Sequence, residues 1–135
     1  FDFSFSEQIT DKLSRLNQNL EVRRANAQKL ETSLSFFPIT FQNFNKNDVY
    51  WRHCLYVSKN RNELLAILLK KGVKISSWHP PVDLFFKRRD QKEDPTPNTD
   101  FLGNNILNFW VNEEINDSYF EKLSAEFLLF LAPQK

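Results

Sequence analysis

The chain has 135 residues, 41% hydrophobic and 15% aromatic, which is enough to build one domain with one core and rules out a disordered tail. Eighteen basic and seventeen acidic residues leave a net charge of +1, and the only compact basic run, Lys87-Arg88-Arg89, is followed by Asp90, Glu93 and Asp94. A nucleic-acid footprint is therefore not expected, and no stretch approaches the roughly 20 apolar residues of a membrane span.

Residues from about Ser6 to Leu34 contain neither Gly nor Pro and predict one long helix. Ile9, Leu13, Leu16, Leu20, Arg23, Ala27, Leu30 and Leu34 recur at alternating spacings of four and three, a stripe in which only Arg23 is out of character. Ser4 and Glu7 fit a capping box at its start. A helix of about 28 residues would run roughly 42 Å. That is long for so small a domain, so part of it is expected to lean on something outside the chain.

Phe36-Phe37-Pro38 ends the helix, and Ile39 to Phe44 reads as a short strand. Val49 to Ser58, rich in β-branched and aromatic residues, is the clearest strand. Asn60 is placed to cap a helix over Arg61 to Lys71, with Gly72 as its C′ residue. Val73 to Trp78 predicts the next strand, and His79-Pro80-Pro81 breaks it. A long loop then runs to Pro97. Thr99 to Asn104 suits a short helix, Ile106 to Val111 a strand, and Asp117 a cap for a last helix over Ser118 to Leu131. The expected fold class is α+β: a long N-terminal helix, then a small mostly antiparallel sheet backed by helices.

Chemistry is sparse. Cys54, His53 and His79 are the only Cys and His residues, so no metal site is expected. The lone cysteine allows no internal disulfide and fits a reducing, cytoplasmic setting. Cys54 sits in an apolar strand as an inert thiol. Its neighbour His53 points to the opposite face and cannot easily activate it. Two glycines exclude a glycine-rich phosphate loop. Glu113-Glu114, flanked by Asn112 and Asn116, reads as a solvated turn. The best local candidate is Trp78-His79-Pro80-Pro81, which offers an aromatic face and an imidazole on a rigid backbone after a strand end. Its plain reading is a strand terminator with a packed Trp. No catalytic residue is assigned. With no Met and a bulky Phe at position 1, the chain is expected to be a piece of something longer.

The order of short motifs carries more than any one of them. Arg24-x-Asn26-Ala27, Leu30 and Leu34 resemble the helix "R-x-N-A-x-x-L-x-x-x-L" of the DegT/DnrJ/StrS aminotransferases. Val49-Tyr50-Trp51-Arg52 resembles their "Y-W-R/H" strand. Arg61-Asn62-Glu63-Leu64 to Leu68 with Lys71-Gly72-Val73 resembles "R-x-E-L-x-x-x-L-x-x-x-G-I". Trp78-His79-Pro80-Pro81-Val82 is similar to the "H/W-Y-P-P-x-H" loop, and Pro97 to Leu107 to "P-x-A-x-x-L-x-x-x-I-L".

This resemblance implies a pyridoxal-phosphate-dependent enzyme, acting on nucleotide-linked keto-sugars as a homodimer. Residues 1–35 would be the linking helix and 36–135 the C-terminal small domain. Trp78 and His79 would line the sugar-nucleotide side of a cleft. The lysine that holds the cofactor would lie in a large domain outside this chain, so the chain alone is expected to be inactive and to bind no cofactor.

Departures are also visible. Where the family has Asn and Arg reaching the partner's cofactor phosphate, Asp2 and Ser4 stand here. Phe109-Trp110 replaces an "L-P", and Asp83-Leu84 stands near the missing final His of the Pro loop. The alternative is a non-catalytic dimerisation or ligand-binding module derived from that domain.

Overall fold

A computed structural model describes residues 3–77 and 97–131 of the chain. Its elements are α1 (Phe3–Ser14), α2 (Leu16–Leu34), β1 (Thr40–Phe41), β2 (Arg52–Tyr56), α3 (Arg61–Lys70), β3 (Ile75–Ser76), α4 (Pro97–Asn105), β4 (Ile106–Trp110) and α5 (Asp117–Leu131). The four strands form one antiparallel sheet in the order β1-β2-β4-β3, so the expected α+β architecture is present. No described helix is long and apolar enough to cross a membrane.

The expected single long helix is two helices joined at Arg15. Ser14 donates its hydroxyl to the Asp11 carbonyl at 2.8 Å, and the Arg15 amide reaches that same oxygen only at 3.3 Å. A side chain competing for a ladder acceptor loosens the turn. The stripe also divides there. Ile9, Leu13 and Leu16 are exposed, whereas Ala27 is fully buried with Tyr50 and Val111, and Leu30 and Leu34 are fully buried in the core against the sheet. The capping-box expectation fails on the backbone, because α1 starts at Phe3 and so places Ser4 within its first turn.

Strand β1 is shorter than the expected Ile39 to Phe44. Beyond Phe41, the Cys54 amide donates to the Gln42 side-chain Oε1 at 2.9 Å, so a side chain stands in for the ladder acceptor. The Gln42 amide still donates to the Cys54 carbonyl at 3.0 Å. Directly opposite residues share a sheet face, so His53, Phe109 and Ile75 form one row and Leu55 with Leu107 another. That face packs with Leu30 and Leu34 of α2, Leu64 and Leu68 of α3, and Phe120, Leu123 and Phe127 of α5.

Helix α3 ends as its sequence predicts. Gly72 adopts φ +74°, its amide donates to Leu69 O, and the Val73 amide donates to Leu68 O, both at 2.9 Å. This pair of bonds is a Schellman closure, for which a residue without Cβ is preferred. Asn60 stands in the N-cap position but in a left-handed conformation, and its side chain makes no cap hydrogen bond. At the last helix the cap is Asn116 rather than Asp117. Asn116 Oδ1 accepts from the Tyr119 amide at 3.2 Å, and Asp117 is already inside the first turn.

Candidate functional site

The polar residues of α2 and β2 sort into two kinds, those satisfied by backbone or side-chain partners and those left open. Arg24 and Asn26 belong to the first kind. Arg24 Nε donates to Asp48 O at 3.0 Å, clipping the turn before β2. Asn26 Nδ2 donates to Val111 O and Asn112 O at 3.2 and 3.0 Å, tying α2 to the end of β4. Arg61 likewise donates to the last carbonyls of α4, to Asn104 O at 3.0 Å and to Gly103 O. These residues hold the fold together.

His53 and Cys54 point to opposite faces, as alternation along a strand requires. The His53 ring is fully buried, with Nε2 2.9 Å from Glu31 Oε1 and the ring beside Phe41 and Tyr50. Its Nδ1 has no hydrogen-bond partner among the described residues. Burial pushes the His53 pKa down, more than the adjacent Glu31 carboxylate pulls it up. A neutral ring with its proton on Nε2, donated to Glu31, accounts for this arrangement. Cys54, also buried, donates its thiol to Asn108 Oδ1 at 3.0 Å. Neither group faces a cleft where a substrate could react.

The open kind lies where β2 begins and β4 ends. Arg52 and Trp110 are directly opposed across the two strands. The Arg52 guanidinium sits 3.3 Å from the Trp110 ring centroid and 4.5 Å from that of Trp51. Trp51 itself is 64% exposed. Arg23 stands behind this cluster, its Nη1 donating to Tyr50 O at 3.2 Å and Trp51 O at 3.4 Å. Burial, and then the charge of Arg23, lower the pKa of Arg52, and the Tyr119 phenol partly opposes that shift. The sequence signal for Arg23 was its misfit in an apolar stripe. For Arg52, the signal was its place in the Val49-Tyr50-Trp51-Arg52 motif.

Of the residues singled out from sequence, Asp2, Trp78 and His79 lie outside the described residues, as does the Ser4 side chain. Glu113 and Glu114 are exposed as expected, and Lys74 pairs with Glu114 and lowers its pKa. A groove of about 770 Å³ lies elsewhere, between α2 and α5, walled by Phe36, Phe37, Pro38, Leu128 and Leu131. It offers no titratable side chain and no catalytic chemistry.

No sequence-family model matches the chain, and no curated protein matches it by sequence. Solved structures do. A DegT/DnrJ/EryC1/StrS aminotransferase from Brucella abortus superposes with a TM-score of 0.74 at 19% identity, over 91% of this chain and 34% of that one. A sugar aminotransferase of Streptococcus pneumoniae in its PLP form gives 0.76 at 14% identity, over 87% of this chain and 32% of that one. DesI, solved in the presence of its TDP-sugar product, gives 0.75 at 16% identity with the same coverages. The fold is that of one part of the DegT/DnrJ/EryC1/StrS aminotransferases. The chain spans about a third of the length of these aminotransferases. The motifs that resemble that family have structural duties in this aminotransferase-type fold: Arg24 and Asn26 clamp loops, and Gly72 closes a helix.

Pyridoxal phosphate needs a lysine shielded enough to be a nucleophile near neutral pH. Every described lysine is exposed. The described residues therefore do not fit that cofactor on their own.

Proposed function

We propose that the chain is the C-terminal small-domain part of a pyridoxal-phosphate-dependent aminotransferase acting on nucleotide-linked keto-sugars. The observation that carries this reading is the match of nearly the whole chain to about a third of the sugar aminotransferases named above. In it, residues 1–35 link to a large domain and residues 36–135 form the small domain. The assembled protein is a cytoplasmic homodimer. Trp78 and His79 face the sugar nucleotide, and Asp2 and Ser4 occupy the degenerate cofactor-phosphate positions. The exposed lysines support the view that the Schiff-base lysine belongs to the large domain, so the chain alone is inert.

The test has two parts. The chain alone, incubated with pyridoxal phosphate and reduced with borohydride, should show no stoichiometric adduct at a single lysine. The native gene product should carry the remaining two thirds of an aminotransferase, including such a lysine. A native product no longer than these 135 residues would overturn the enzyme reading in favour of a non-catalytic binding or dimerisation module.

A further inference from the structure

The described arginines fall into a clear contrast. Arg15 pairs with Asp11, Arg23 donates to Tyr50 O, Arg24 to Asp48 O, and Arg61 to Asn104 O. Arg52 has no oxygen partner among the described residues; its contacts are the faces of two indoles. A guanidinium carries five N–H donors around the rim of its plane, and contacts with ring faces satisfy none of them as an oxygen would. No carboxylate among the described residues lies within ion-pair distance of Arg52 or of Arg23, so two neighbouring positive charges stand uncompensated. Ring contacts fix the orientation of Arg52, which lowers the entropy lost when it binds a ligand. Beside it, the 64% exposure of Trp51 leaves a large aromatic surface to solvent.

We propose that Trp51, Arg52 and Trp110, backed by Arg23, form a binding site for a nucleoside diphosphate. The diphosphate accepts hydrogen bonds from the rim of the Arg52 guanidinium. The base stacks on the outer face of Trp51, and the charge of Arg23 adds to the attraction. Planar bidentate donors suit phosphate oxygens, and a base stacked on an aromatic ring adds affinity whatever the base. The choice of a nucleoside diphosphate rests on the sugar-nucleotide reading above. The open basic–aromatic cluster does not.

The experiment is calorimetric titration of the 135-residue chain at low salt with thymidine diphosphate, inorganic pyrophosphate and thymidine in separate arms. Saturable one-to-one binding is expected in the order thymidine diphosphate, then pyrophosphate, then thymidine. Arg52→Gln should weaken both phosphate ligands by about tenfold or more, the loss of a charge-assisted hydrogen bond. Trp51→Ala should weaken thymidine diphosphate by a larger factor than pyrophosphate, because pyrophosphate loses only the ring contact that orients Arg52. Arg52→Lys, which keeps the charge and loses the fork, should fall between parent and Arg52→Gln, and thermal melts establish that each variant is folded.

No saturable binding in any arm, or equal affinity of parent and Arg52→Gln, would overturn the site. Thymidine binding as tightly as its diphosphate would overturn the phosphate role, and unchanged affinity in Trp51→Ala would overturn the stacking wall. If the site binds while the native product lacks a lysine-bearing domain, the enzyme reading fails and the site stands.

Discussion

His53 makes the fold sensitive to acid. Its folded pKa lies below the ordinary value of 6.5, with burial as the main cause. The unfolded chain therefore binds the proton more readily than the folded one, and stability rises with pH across that interval. The contribution is fully present above about pH 6.5 and is lost as the pH falls below it towards the folded pKa. Melting temperature should drop on acidification through this window. In His53→Phe that component of the slope should vanish. The same variant removes the unpartnered Nδ1, a feature that costs about 1–3 kcal/mol when buried. Glu31, whose side chain is 27% exposed, can be hydrated in its place. His53→Phe should thus melt no lower than the parent at neutral pH. A lower neutral melting point would show that the His53–Glu31 bond is a net stabiliser. At Asn26, removal of two interelement hydrogen bonds by Asn26→Ala should cost about 1–2 kcal/mol in chemical denaturation.

Elements differ in how much the core depends on them. Leu13 in α1 is 63% exposed, whereas Leu30 in α2 is fully buried in the cluster that includes Phe127. Leu30→Ala should cost about 2–5 kcal/mol, through lost burial and the cavity it leaves. Leu13→Ala should stay within about 0.5 kcal/mol in the isolated chain. Equal costs would mean that α1 contributes to the same core. At the end of α3, a methyl group added at Gly72 would meet nothing within 4 Å. The cost of Gly72→Ala is then purely that of holding φ at +74° with a side chain, about 1 kcal/mol by urea titration. A much larger loss would reveal a contact the geometry lacks.

Across the whole molecule, local rules and three-dimensional closure divided the work. Composition and end signals identified α3, β2, β4 and α5 to within a few residues; the helices bury one face each, whereas β2 and β4 are buried on both. Strand ends were less legible: β1 stops where a Gln42 side chain replaces a backbone acceptor, a substitution no periodicity records. The break at Arg15 was hidden for a similar reason, since Ser14 acts through a side-chain bond to Asp11 O rather than through hydropathy. Of the candidate site, Trp51 and Arg52 were readable only as part of a motif, and Trp110 only as a departure from one.

The sequence by itself determined the α+β class, the apolar faces, the Schellman glycine and the opposed directions of His53 and Cys54. All of these follow from dihedral preference and the helical or strand period. Only the tertiary structure decided that β4 lies between β2 and β3, that Glu31 meets His53, and that the Arg52 guanidinium lies over the rings of Trp51 and Trp110 without an oxygen partner among the described residues. Contacts of that kind join residues far apart in the chain. Many pairings are equivalent locally, and the one realised is the one that packs the shared core.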